Sequence, residues 1–93
     1  MNTTAFENNI KSEGYGEIET KGLTAGTSTS EHAHPFHVRA LVIEGEISLS
    51  VAGVTRTYSK GEEFTMAAGC AHAEQIGAQG VRYVVGRRRD AAG

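Results

Sequence analysis

The sequence predicts an all-β domain, a barrel or two-sheet jelly roll of about eight short antiparallel strands, and three observations carry that prediction. Gly45, Gly53, Gly61, Gly69 and Gly77 recur every eight residues, the spacing of turns between short strands. Apolar and polar residues alternate around them. Ile47, Leu49 and Val51 are interleaved with Ser48 and Ser50, and Val81, Tyr83 and Val85 with Arg82 and Val84, which is the period of half-buried strands. No stretch keeps an i, i+3, i+4, i+7 apolar stripe through three turns, so a helical bundle has little support.

Taken in order, residues 1–13 read as a peripheral N-terminal segment. Its best helix candidate is Thr4 to Lys11, where Thr4 and Glu7 are spaced as a capping box and Phe6 and Ile10 make a one-turn apolar stripe. Strands are expected over Glu17 to Leu23, Ser30 to Pro35, Val38 to Glu44, Glu46 to Ala52, Val54 to Ser59, Glu63 to Met66, His72 to Ile76 and Val81 to Arg87. Val38 to Ile43 is apolar on both faces apart from Arg39, as a strand covered on each side should be. These strands place the β-domain at residues 14–88 and leave 89–93 as a polar C-terminal tail. The Arg87-Arg88-Arg89 triplet at that junction reads as a solvated run rather than an anion site.

Composition bounds the function. Ninety-three residues, 39% of them hydrophobic, make one small domain. A net charge of -2, scattered along the chain, argues against nucleic acid and against a membrane surface as partners. Cys70 is the single cysteine, so no internal disulfide exists. With no basic and apolar leader at the start, the expected location is the reducing cytoplasm. Leu, Ile, Val and Phe together number 18, a core that gives modest stability by itself. A bound metal or a homodimer would supplement it, and Leu41 and Ile43, of outward parity on their strand, suit burial between two copies.

Three of the four histidines fall in Glu31-His32-Ala33-His34-Pro35-Phe36-His37. On a strand His32 and His34 share a face with Cα atoms ~6.6 Å apart, from which two imidazoles can converge on one ion. Two ligands alone are equally an ordinary edge-strand pair. The second half adds His72, after a glycine turn at Gly69. Here a family resemblance appears. Gly26-x5-His32-x-His34, running on to Gly45, resembles the first motif of the cupin superfamily, Gly-x5-His-x-His-x3 or 4-Glu-x6-Gly. Gly61-x5-Ala67-x-Gly69-x2-His72 resembles the second, Gly-x5-Pro-x-Gly-x2-His-x3-Asn. The resemblance implies a single cupin-type double-stranded β-helix, often dimeric, with a metal held inside by His32, His34 and His72.

Three departures bear on the chemistry. Val38 and Arg39 stand where the family places its carboxylate ligand, Ala67 replaces the proline, and Ile76 replaces the asparagine. Three neutral imidazoles without a carboxylate suit Fe, Ni, Cu or Zn better than Mg or Ca, with iron the leading expectation. Positions left open on such an ion would serve water, a small organic ligand or dioxygen. Among cupins a three-histidine site without the glutamate resembles the thiol and diketone-cleaving dioxygenases. The resemblance equally admits a non-catalytic or sensory ligand-binding module, or a non-oxidative isomerase or lyase.

Around the histidines, Glu74 lies two residues after His72 and shares its face, in place to handle a proton. His37 is a second candidate for proton transfer or a fourth ligand, although its parity is opposite to that of His32 and His34. Tyr83 has core neighbours on its strand face, and Phe64 and Met66 are expected in a pocket wall. Cys70 shares the parity of His72 but reads as a packing residue, and Arg39 faces away from Val38.

Overall fold

The computed structural model describes residues 2–89, so Met1 and residues 90–93, most of the expected polar tail, lie outside the described residues. Helix α1 (Thr4–Ser12) is followed by strands β1 (Gly16–Leu23), β2 (His37–Val51), β3 (Val54–Ser59), β4 (Glu63–Met66) and β5 (Ala73–Arg88). They form one five-stranded antiparallel sheet in the order β1-β5-β2-β3, with β4 also paired to β2.

The expectation of about eight short strands is corrected to five, because two pairs of expected strands are continuous and residues 30–35 form no named strand. Val38 to Glu44 and Glu46 to Ala52 belong to the single strand β2, and His72 to Ile76 and Val81 to Arg87 largely merge into β5. What the glycine at 45 marks is a bend rather than a break. Gly45 has φ +70°, and a Cβ there would lie 1.9 Å from the carbonyl oxygen of Gly80, so only glycine lets the two long strands cross so closely. At the same point the register slips: Val42 pairs with Tyr83 but Glu44 pairs with Arg82, two residues advancing against one.

That slip decides which side chains face inward. Before it Val38, Ala40 and Val42 point to the interior, and after it Ile47 and Leu49 do, all in one buried cluster. Strand β5 makes the matching change from Val81, Tyr83 and Val85 to Ile76 at a second slip, where Gly45 pairs with Val81 but Ile47 pairs with Ile76. Without these two slips, half of each long strand would present its polar face to the core.

The outer face of the sheet is covered from within the chain. Phe6, Ile10 and Tyr15 pack on Leu41 and Val84, with Ile43 beside them, so burial of this apolar patch needs no second copy. The helix forms over the expected residues but starts from Thr3, whose hydroxyl donates to a Glu7 carboxylate oxygen at 2.6 Å, one position earlier than the expected capping pair. Arg39 points outward too. Its guanidinium bridges Glu13, just after α1, and Glu63 on β4 at 2.8 Å, clipping the helix to the sheet.

Candidate metal and ligand site

Residues 30–35, expected as a strand, lie outside the named strands, and the histidines are positioned by pairing with the start of β5 instead. His32 and His72 exchange both backbone hydrogen bonds, at 2.9 and 2.8 Å. Further along, the Thr29 N–H donates to the Glu74 carbonyl at 2.9 Å, the Glu74 N–H to the Thr29 hydroxyl at 3.1 Å, and the Ile76 N–H to the Thr27 carbonyl at 2.8 Å. His34 is held from the other side, its carbonyl accepting the Gly69 N–H at 2.8 Å. Gly69 has φ +78°, a conformation that favours glycine in the turn leading to His72.

These bonds bring His32, His34 and His72 together, each offering one ring nitrogen within 4.8 Å of the others. Their ring centroids are 4.4 Å apart for His32 and His72, 4.9 Å for His32 and His34 and 5.2 Å for His34 and His72. Two of the rings have their orientation set by backbone carbonyls. Nδ1 of His72 lies 2.9 Å from the Cys70 oxygen, and Nδ1 of His32 lies 2.9 Å from the Ser30 oxygen. An imidazole that donates from Nδ1 presents a lone pair at Nε2. The Nε2 of His72 is buried and has no hydrogen-bond partner, and its residue is 1% exposed. Such an orphan acceptor costs about 1–3 kcal/mol. A cation at that nitrogen would remove the deficit, so the donor set fits a metal ion. Burial, then the nearby His32 and His72, pull the His34 pKa down, which favours the neutral imidazole that ligation requires.

Glu74 stands beside the cluster. Its Oε1 is 3.7 Å from Nε2 of His72 and 3.8 Å from Nε2 of His32, and its side chain is 16% exposed. A carboxylate is therefore present at the site after all, on β5 instead of at position 38 or 39. Its inward parity with His72 is as the alternation required. His37 is not brought to the cluster. It begins β2, and its Nδ1 accepts the Ala68 N–H at 3.0 Å, tying β2 to the turn before His72. Cys70 is free and its thiol contacts the Ala71 carbonyl, outside the histidine group.

His32 and His34, with Glu74, open on a cavity of about 250 Å³. Phe64, Met66, Ile47 and Val85 make an apolar wall, as expected for the first two, and Tyr83 is part of the lining. Burial, with Glu74 adding to it, pushes the Tyr83 hydroxyl up to about 12, so it stays protonated at neutral pH. Sequence reasoning missed Lys21, Phe36 and Arg87, which also line this cavity. Arg87 continues the inward series Val81, Tyr83, Val85 by one step, a signal that reading the arginine triplet as a charge run obscured. Phe36 stacks on His34 with centroids 4.9 Å apart and carries the guanidinium groups of Arg87 and Arg89 at 5.5 and 5.0 Å.

No protein-family model and no curated protein matches the chain. Solved structures do match in fold. A cupin superfamily protein from Desulfitobacterium hafniense superposes with a TM-score of 0.69 at 18% identity, over 78% of this chain and 66% of that one. An RmlC-like cupin from Shewanella frigidimarina gives 0.65 at 20% identity, over 80% and 67%. A DMSP lyase from Ruegeria pomeroyi gives 0.70 at 21% identity, over 82% of this chain and 39% of the lyase. The chain thus spans about two thirds of the length of the first two and well under half of the third. Its fold is that of the cupin superfamily. Among the described residues no helix is long and apolar enough to cross a membrane.

Proposed function

We propose that the chain is a small metalloprotein of cupin fold, in which His32, His34 and His72 hold one divalent transition-metal ion and the adjoining cavity receives a small organic ligand. The observation that carries this reading is the buried Nε2 of His72, without a hydrogen-bond partner and grouped with ring nitrogens of His32 and His34. Imidazole donors favour iron, nickel, copper or zinc, and iron is the ion we assign. When bound, the ion supplies Lewis acidity and, as iron, a place for dioxygen. Glu74 accepts or returns a proton of the ligand, Tyr83 offers a neutral hydroxyl, and the Phe64 and Met66 side keeps water out. His37 is a positioning residue that steadies the turn before His72. We place the protein in a reducing cytoplasm on its free Cys70.

Oxidation of a thiol or diketone is the first reaction class, by analogy with three-histidine sites. The presence of Glu74 favours a second, non-oxidative elimination or isomerisation begun by removal of a proton, and the fold similarity to a DMSP lyase supports testing it. The two are separated by assaying iron-loaded protein for dioxygen uptake with thiols and diketones, and zinc-loaded protein anaerobically for elimination from small acids. Turnover only with iron and dioxygen supports oxidation, and turnover with zinc alone supports elimination. Saturable ligand binding with no turnover in either assay would leave a binding module and refute both reactions.

A further inference from the structure

The lining of the cavity carries two kinds of charged or ligating group. His32, His34 and Glu74 belong to the candidate metal site. Lys21 and Arg87 line it as cations from β1 and β5, with Tyr83 as the β5 partner of Lys21 and with Arg87 over the Phe36 ring that stacks on His34. Burial raises the Tyr83 pKa most, Glu74 adds to it and Arg87 opposes it. Arg87 lies 3.6 Å from Glu19 and is partly neutralised. Lys21 forms no ion pair among the described residues. Lys21 therefore brings to a cavity with an apolar wall one positive charge that has no ion-pair partner among the described residues, and a counter-ion is worth more there than in open water.

We infer that the ligand is a small organic monoanion, a short-chain carboxylate whose charged end is held by Lys21, with Arg87 beside it, while its other end reaches the histidine cluster. The inference deepens the metal-and-pocket reading and rests on it. Val38, Ile47, Phe64, Ile76 and Val85 make most of the wall apolar, with Thr27, Thr29 and Tyr83 as its uncharged polar groups, so the body of the ligand is largely hydrocarbon. The 250 Å³ of the cavity equals roughly eight water volumes of ~30 Å³, the size of an acid of about four to six carbons. One free charge suits a carboxylate, whereas a dianionic phosphate or phosphonate would be left half-compensated.

The test uses the full chain loaded with zinc, titrated by calorimetry with butanoate, pentanoate and hexanoate and with the corresponding amides. At least one acid is expected to bind about tenfold tighter than its amide. Lys21→Met is expected to abolish that preference without changing zinc content, and Lys21→Arg to retain it. Lys21→Gln is the second variant should Lys21→Met not fold. Equal affinity for acid and amide, no acid binding, or a preference that survives loss of the Lys21 charge would overturn the assignment. So would propylphosphonate displacing butanoate at lower concentration. Zinc uptake is measured separately. A chain that takes up no zinc refutes the metal reading, and the same titrations on the metal-free protein then decide the carboxylate assignment by the same criteria.

Discussion

Replacing His72 by leucine separates the cost of the site from its use. In the metal-free protein the imidazole is 1% exposed, its Nδ1 meets the Cys70 carbonyl at 2.9 Å, and its Nε2 is orphaned. His72→Leu removes the orphan, a gain of about 1–3 kcal/mol, and loses the Nδ1 bond while stranding the Cys70 oxygen, a loss of about the same size. The variant without metal is therefore expected within about 1 kcal/mol of wild type. With metal the two diverge. At a hundredfold excess over Kd a bound ion stabilises the native state by about 2.7 kcal/mol. For a domain of this size that raises Tm by about 10–20 °C, and His72→Leu should forfeit the rise. The assay is thermal unfolding of both proteins with and without zinc. A variant that keeps the zinc-induced shift would refute the role of His72. One destabilised by more than 3 kcal/mol without metal would show that its ring is a packing residue first.

Three further outcomes follow from the same structure. Ile10 is 0% exposed between α1 and the sheet, so Ile10→Ala should cost about 2–5 kcal/mol in urea unfolding while leaving metal stoichiometry unchanged; a cost under 0.5 kcal/mol would show that the helix does not cover the sheet in solution. Gly45→Ala forces a Cβ to 1.9 Å from backbone and should prevent stable folding, whereas Gly53→Ala, with open space around it, should cost only about 1–2 kcal/mol for its positive φ. Equal effects on circular dichroism and Tm would remove the crossing-strand explanation. Tyr83 titrates at about 12 when folded and near ~10 when unfolded. Its contribution is thus fully present below pH ~10 and is lost as pH rises toward 12, at up to about 1.4 kcal/mol per pH unit. Tyr83→Phe should lack that extra decline, and parallel profiles would show that the hydroxyl is not buried.

The legible part of this protein is its short-range chemistry. Alternation put Tyr83 inside, paired Glu74 with His72 on one face, and sent Arg39 outward, because a side-chain period of two is a local property. Continuity of β2 through Gly45 was not legible, since it depends on the approach of Gly80 from a strand more than thirty positions away. The convergence of His32 and His34 arises from backbone bonds to residues 69–76 rather than from a strand of their own, a long-range pairing that spacing alone cannot reveal. Lys21 was passed over for a similar reason: on β1 it is one polar residue among several, and it faces the cavity only through its pairing with Tyr83.

Elemental analysis of untagged protein, prepared anaerobically without chelator and compared with a His32→Ala, His72→Ala double variant, tests the central claim most directly. The account predicts close to one iron, nickel, copper or zinc per chain in the wild type and none in the variant. A wild-type chain that arrives metal-free and takes up none of these ions when they are added would contradict it.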